Sequence, residues 1–482
     1  MSKRNGAKSC SRRTRRLGLL HRFPESNCGS GGLLGYAWPK CVRSGERSEF
    51  RVHSPGAFKL SLWYYGWEKT LVRPIGWFDE HGPRATVQIT PDQDYTQTGV
   101  QWNKFDYSSP NHKQFVTAPE RSGLYYFHLH GESGQFFSFP WVVAPKKPQA
   151  KLAVLLSNLT WNAYNNFGGR SNYIHPDRLP PTPTLNARLE LDRYTDPEHL
   201  DYKGVDYDSL SLDRPEAINH IPEEVQVTDP IEGRAACHLA AAEWRLLGWL
   251  EREGIEHDVY AETQLHSGVL NLDDYRGLIL GPHPEYWSSV MYQRLQQWVC
   301  ERSGRLLYLG GNGLNCEVEL ADEQTCIYRN EDARELRNPV HGFESRFHQR
   351  QESEANLLGV VYDERGIMTA APYEVVDDRH WVFEGTDLKR GDLFGTECLH
   401  QRVPGGASGH ETDKMSPSSP SNTRLLARGL NPDDGGAHMV IYETTSGGTV
   451  LSVGSICWVS SLLVDDGVSK ITSNVLERFQ IS

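Results

Sequence analysis

The 482-residue chain has no run of about 18 apolar residues, the length a helix needs to cross a bilayer. A globular protein with no membrane span is therefore expected. Its nine cysteines (10, 28, 41, 237, 300, 316, 326, 398 and 457) include no C-x-x-C pair and no regular spacing. An odd, scattered set of this kind reads as free thiols in a reducing compartment, hence a cytoplasmic protein. Cys237 and Cys457 lie in apolar surroundings, where a thiol serves as a small core residue. No internal repeat is visible. Gly168-Gly169 lacks the Gly-Lys-Ser/Thr of a phosphate loop, and a turn demanding positive φ explains the pair better.

Acidic residues are missing from the start of the chain. Residues 1–22 hold eight Lys and Arg and no acid, so the rest of the chain is more acidic than the formal net charge of −12 suggests. Such a body repels phosphate backbones, and nucleic acid is not an expected partner. The basic segment reads as a disordered tail over 1–33. "RRTRRLGLL" begins like a twin-arginine signal, but no apolar stretch of the required length follows, so export is not expected.

What is present suits packed cores: 38% hydrophobic residues, 13 Trp and 21 Tyr. The length exceeds the roughly 50–250 residues of one domain, so two are expected. Over 34–146 short apolar runs ("RSEFRVHS", "FKLSLWYYGW", "RATVQIT", "KQFVTA", "GLYYFHLHG", "FFSFPWVVAP") alternate with turn residues. That pattern predicts an antiparallel β-sandwich. After the linker "APKKPQA", residues 150–482 change character. Continuous apolar runs ("KLAVLLS", "YRGLILG", "RLLYLGG") alternate with helical patterns at 235–253 and 288–302. Strands covered on both faces and joined by crossover helices predict an α/β domain with an open, largely parallel sheet. The long segment 165–232 is expected to be functional, and "KMSPSSPSN" (414–422) reads as a flexible insertion or lid.

Three strand-end loops carry chemistry-bearing residues. "GPHPEYWS" offers His283 and Glu285, although His-Pro-Glu equally suits a helix N-terminus. "SNLTWNAYNNFGGRSNY" (157–173) presents Tyr164, and "YLGGNGLN" presents Asn312, an amide able to polarise a carbonyl or to form an Asn-Gly turn. In open α/β sheets such loops line one crevice. His128 and His130 in "YFHLHGES" have metal-like spacing, but polar residues at alternate positions are ordinary on a half-exposed strand.

"LTWNAYNNFGGRS", "LDRP" (212–215), "GPHPEYWS", "LGGNG" and "GGTVLSVGSICWVSSL" through "SNVLERF", in this order, resemble the large (beta) subunit family of N,N-dimethylformamidase. The resemblance implies an Ig-like β-sandwich followed by a domain like that of class I glutamine amidotransferases, without the amidotransferase cysteine. It further implies a hydrolase of the C–N bond of a small amide with a mononuclear Fe(III) centre held by two tyrosines and a glutamate. Carried over by motif, Tyr164 and Glu285 are ligands, and the second tyrosine, upstream of "LDRP", is Tyr207 or else Tyr202. His283, Asn312 and Glu411 of "GHETDK" take catalytic roles. The family pairs with a small second subunit, so an oligomer is expected, and its longer members carry an additional N-terminal module. "LDRPEA" departs from the family in placing Glu216 where relatives often have an aromatic residue. Two other classes of function fit the same residues. One is a catalytically silent, amidotransferase-like binding or scaffolding protein, and the other a metal-independent hydrolase using His283 and Glu285 as an acid/base pair.

Overall fold

A computed structural model of the protein describes residues 20–21, 32–79, 81, 85–104, 114–176, 178–180, 183–185, 208–231, 235–330 and 344–481. The first part of the chain forms strands β1 (Leu34–Trp38), β2 (Cys41–Arg43), β3 (Arg47–His53), β4 (Phe58–Tyr65), β5 (Lys69–Phe78), β6 (Phe115–Thr117), β7 (Gly123–Gly131) and β8 (Phe136–Ala144). They make a five-stranded sheet, β2-β8-β7-β4-β5, and a three-stranded one, β1-β3-β6. All pairs are antiparallel except β2 with β8. "RATVQIT" does not join either sheet; only Thr90–Pro91 pairs, with Leu20–His21.

The two sheets share one apolar core, and the larger sheet is covered on its other face too. Along β7 the period of two decides which core each residue enters. Tyr125, Phe127 and Leu129 face the three-stranded sheet, whereas Leu124 and Tyr126 face the rest of the protein. Burial on both faces explains why "GLYYFHLHG" is apolar almost throughout. It also corrects the expectation of a half-exposed strand at His128. That side chain is buried, takes part in a 2.8 Å hydrogen bond with the Tyr65 hydroxyl and stacks on Trp63.

The second part contains β9 (Leu152–Leu156), α1 (Asn158–Tyr164), α2 (Ala235–His238), α3 (Ala240–Arg252), β10 (Asp258–Ala261), β11 (Gly277–Leu280), α4 (Ser289–Glu301) and β12 (Arg305–Tyr308). It continues with β13 (Tyr373–Val375), β14 (Leu393–Phe394), β15 (Arg424–Gly429), β16 (His438–Glu443), β17 (Thr449–Ser452), α5 (Cys457–Ser461) and α6 (Asp466–Ile481). Nine strands form one sheet in the order β10-β9-β11-β12-β17-β16-β15-β13-β14. The first five run parallel, and every pair from β17 onward to β14 is antiparallel. The sheet is therefore mixed rather than largely parallel.

Residues 414–422 are hydrogen-bonded to neighbouring segments. Lys414 ends the strand Thr412–Lys414, the Met415 N–H donates to His438, and the Ser419 hydroxyl donates to the Gly359 carbonyl. The described cysteines are all free thiols, Cys237 and Cys457 among the buried ones. No described helix is long and apolar enough to cross a membrane.

Candidate functional site

Three adjacent parallel strands, β9, β11 and β12, end side by side, and the loop after each supplies one part of a buried polar cluster. From β9 the chain enters α1, whose last residue is Tyr164. The loop that follows is set by Gly168, whose φ of +91° favours glycine and whose missing Cβ leaves room for the Tyr95 ring, 2.7 Å from where that atom would be. Arg214 of "LDRP" fixes the same loop from below. Its guanidinium, fully buried, donates to the carbonyls of Asn162, Phe167, Arg170 and Ser211. Asp213 turns the other way and pairs with Arg51 and the Tyr36 hydroxyl, and Glu216 pairs with Lys40 at 2.6 Å. "LDRPEA" thus joins the first sheets to the site.

After β11 the corner Gly281–Glu285 is not a helix start. The Glu285 N–H donates to the Thr160 hydroxyl, and Tyr286–Trp287 pairs in parallel with Cys316–Glu317 before α4 begins behind its Ser288 cap. Backbone bonds from Gly311 to Pro282 and from Leu314 to Pro284 lock this corner to the loop after β12. Asn312 has φ +53°, so the expected turn is real, and its N–H donates to Asp413 at 2.7 Å. Glu411 reaches the site from a segment bridged to the loop after β17, where Thr412 pairs with Ser455.

The side chains converge. The Tyr164 hydroxyl lies 2.8 Å from Glu285 Oε2. His283 Nε2 lies 3.4 Å from Glu285 Oε2 and 3.1 Å from Glu411 Oε2, and the Asn312 amide donates to Glu411 Oε2 at 2.8 Å. Because a carboxylate only accepts, Nδ2 must be the Asn312 atom facing Glu411. Oδ1 is then a buried acceptor with no hydrogen-bond partner. His283, Glu285, Tyr164 and Asn312 are all buried, and Glu411, 13% exposed at its side chain, opens the cluster outward. Five of the sequence-predicted residues, Tyr164, His283, Glu285, Asn312 and Glu411, thus come together. Tyr207 and Tyr202 lie outside the described residues.

Burial alone would raise the Glu411 carboxyl. The charge and hydrogen bond of His283, joined by His410 and the Asn312 amide, outweigh it and hold the group at about 2. Asp413 shows the opposite balance. Burial dominates and pushes it up to about 7 despite bonds from Asn312 and Tyr308.

These motifs, in this arrangement, lead to a known family. A family model described as N,N-dimethylformamidase beta subunit-like, C-terminal, matches residues 61–471. The chain belongs to this family. The N,N-dimethylformamidase beta subunit of Paracoccus aminophilus is 27% identical over 430 residues, covering 76% of this chain and 53% of the relative. The corresponding subunit of an Alcaligenes species is 27% identical over 429 residues, covering 75% and 53%. The chain therefore spans about half the length of the curated relatives it matches. Each relative is named as a subunit, and so as one member of an assembly.

Within this member of the family the structure adds residues that sequence reasoning left aside. The Tyr173 hydroxyl lies 3.1 and 3.0 Å from the two oxygens of Glu285 and also bonds the Tyr286 hydroxyl. Burial pushes the Tyr173 phenol well above its ordinary pKa, with Glu285 and Tyr164 adding to the effect. Arg346 approaches Glu285 Oε1 at 3.9 Å, and His238 meets His283 ring to ring. Tyr173 stands at the end of the same loop as Tyr164, a signal that was in plain view. Arg346 and His238 had none. No group of three or more His, Cys, Asp or Glu side chains among the described residues could hold a metal, the pair His128/His130 included.

Proposed function

We propose that the chain hydrolyses the C–N bond of a small amide at a mononuclear ferric centre held by Tyr164, Glu285 and Tyr207. The observation that carries this reading is the 2.8 Å separation of two buried oxygens, the Tyr164 hydroxyl and Glu285 Oε2. A phenol and a carboxylate oxygen this close would both reach one hard cation. Two phenolates and a carboxylate bring three negative charges, which match a trivalent cation. Iron bound there supplies a Lewis acid that acidifies water and polarises an amide carbonyl. Tyr207 enters from the family resemblance, and Tyr173 then steadies the Glu285 carboxylate by hydrogen bonding.

The remaining residues move the protons. Held at about 2, Glu411 is an anion at neutral pH and too weak a base to deprotonate water itself. His283, whose Nε2–H faces Glu411 3.1 Å away, gives that proton to the departing amine nitrogen and regains one from the attacking water, and the Glu411 anion stabilises the imidazolium. Asn312 offers the site an acceptor, Oδ1, which suits a hydrogen of the attacking water better than a substrate carbonyl. The substrate approaches from the Glu411 side, the more exposed edge of the cluster.

The names of the relatives support a second subunit, and family membership supports an N,N-dimethylformamidase-like substrate, a small formamide. The test is amine release from formamide, N-methylformamide and N,N-dimethylformamide by the purified protein, alone and after His283→Gln. Turnover lost in the variant is expected. No turnover of any small amide, or turnover unchanged in the variant, contradicts the reading.

A further inference from the structure

Two cysteines that the chemistry above does not use meet beside the segment that carries Glu411. Cys398 follows β14, and Cys457, 59 residues on, is the first residue of α5. The Cys398 thiol donates to the Cys457 carbonyl at 3.7 Å and accepts the His400 N–H at 3.4 Å. The Leu399 N–H donates to the Ser460 carbonyl at 2.9 Å, which lays this segment along α5. Cys457 is buried and Cys398 partly exposed, so a small oxidant can reach one sulfur while the other waits behind it. Hydrogen bonding with the Cys457 thiol, helped by the His400 N–H, Ser461 and the charge of Arg245, outweighs burial and holds the Cys398 thiol below its ordinary value. Burial keeps Cys457 well above that value, and protonated. The other partly exposed thiols among the described residues, Cys41 and Cys300, are pushed up by burial, Cys41 to about 12. The thiolate is the reactive form, so Cys398 is set apart from both.

We propose that Cys398 and Cys457 are a redox switch: a hydroperoxide oxidises Cys398, and Cys457 closes a reversible disulfide with it. In the first step the Cys398 sulfur attacks a peroxide oxygen. An S–O bond forms, the O–O bond breaks, and the other oxygen leaves as water, or as an alcohol from an alkyl hydroperoxide. In the second, the Cys457 sulfur attacks the sulfenic acid. The S–S bond forms, the S–O bond breaks, and the hydroxide leaves as water with the Cys457 proton. The two thiols lose the two electrons that one peroxide gains.

The switch acts on Glu411 from both sides. The Ile456 N–H, next to Cys457, donates to the Glu411 carbonyl at 3.4 Å, and His400, two residues from Cys398, meets His410 at 2.8 Å. Drawing the two sulfurs to bonding distance shifts both supports, and misplacing a working group by about 1 Å costs on the order of 100-fold. Oxidised protein therefore turns over more slowly, a consequence that rests on the role given to Glu411 above.

The disulfide can be read without turnover. Reduced, folded protein is treated with hydrogen peroxide, its free thiols are alkylated, and its peptides are weighed by mass spectrometry. A pair of peptides joined through Cys398 and Cys457, short of two hydrogens and separated again by dithiothreitol, is the expected product. In Cys457→Ser, which keeps the shape of the side chain, Cys398 is expected to gain one oxygen and to be captured by dimedone. Cys398→Ser is expected to show neither product. Cys398 and Cys457 both recovered as free thiols, oxidation that begins at Cys41 or Cys300, or a bond from Cys398 to Cys237 overturns the proposal. Amide turnover by the oxidised protein is expected to fall about 10- to 100-fold and to return with dithiothreitol, while Cys398→Ser resists peroxide. A disulfide that leaves turnover unchanged overturns the switch. Reduced wild-type protein that hydrolyses no small amide defeats the reading of the site instead, and the mass measurement still decides whether the disulfide forms.

Discussion

Tyr164 and Glu285 are 121 residues apart in the chain, yet the phenol oxygen of one touches a carboxylate oxygen of the other at 2.8 Å. β9 and β11 are neighbours in the sheet, and their carboxyl-terminal loops must share space. Tyr164→Phe keeps the ring that packs on Tyr173 and His238 and removes only the oxygen. Its stability cost is expected to be about 0.5–1.5 kcal/mol, the net worth of one hydrogen bond. Its iron content, by metal analysis, is expected to fall below one tenth of wild type. Glu285→Gln, close in shape, is the second variant, since both side chains are buried and truncation to Ala would confound folding with binding.

The third ligand is tested by two tyrosine variants compared side by side. Tyr207→Phe is expected to abolish iron binding. Tyr173→Phe removes a hydrogen bond to each Glu285 oxygen and is expected to weaken iron affinity by about 10- to 100-fold without abolishing it. The reverse ranking in a metal titration would give Tyr173 the place of the ligand.

Glu411→Gln deletes the anion that faces His283 Nε2 while keeping the bulk and an oxygen for the Asn312 amide. A charge-assisted hydrogen bond is worth about 1.5–3 kcal/mol, so kcat is expected to fall by about 10- to 100-fold. Iron content should not change. Steady-state kinetics together with metal analysis decide it, and a variant that loses its iron would make Glu411 part of the metal site instead.

Stability should depend on pH through Asp413. Its folded value of about 7 lies above the ordinary carboxyl value of 3.8, so the folded state holds this proton more tightly. The contribution to stability is complete below about 3.8 and is lost as pH rises toward 7, levelling off above it. Glu243, pushed by burial to about 8, acts in the same direction. Glu411, held low, works oppositely, its contribution being present above 4.5 and lost toward about 2. Thermal unfolding of Asp413→Asn between pH 4 and 7 is expected to show a smaller fall than wild type, and an identical slope would remove Asp413 from the account.

Gly168→Ala places a methyl against the Tyr95 ring at a φ of +91°. A cost of about 1–3 kcal/mol is expected from strain and overpacking, read as a lowered denaturation midpoint. A variant as stable as wild type would show that this turn does not need glycine.

Much of this arrangement was legible because the relevant signals are local. "KLAVLLS", "YRGLILG" and "RLLYLGG" are continuous apolar runs ending in polar loops, and runs of that kind become central parallel strands whose ends meet. His283, Glu285, Tyr164 and Asn312 could therefore be placed together before any coordinate was known. Strand direction was not legible. β16 is a short apolar run buried through its middle, and nothing in its composition says that it runs antiparallel to its neighbours β15 and β17. In the β-region, period two reveals which residues share a face and says nothing about what covers it. His238 ends one helix just before another begins with apolar residues, and its partnership with His283 is a closure over 45 residues that no local pattern encodes.

The central claim is that Tyr164, Glu285 and Tyr207 hold ferric iron, and the most direct measurement is metal content and visible absorption on the same purified sample. One iron per chain with a broad phenolate-to-iron absorption band, both lost in Tyr164→Phe, is the predicted result. Folded, colourless protein that hydrolyses small amides with no iron bound would contradict it.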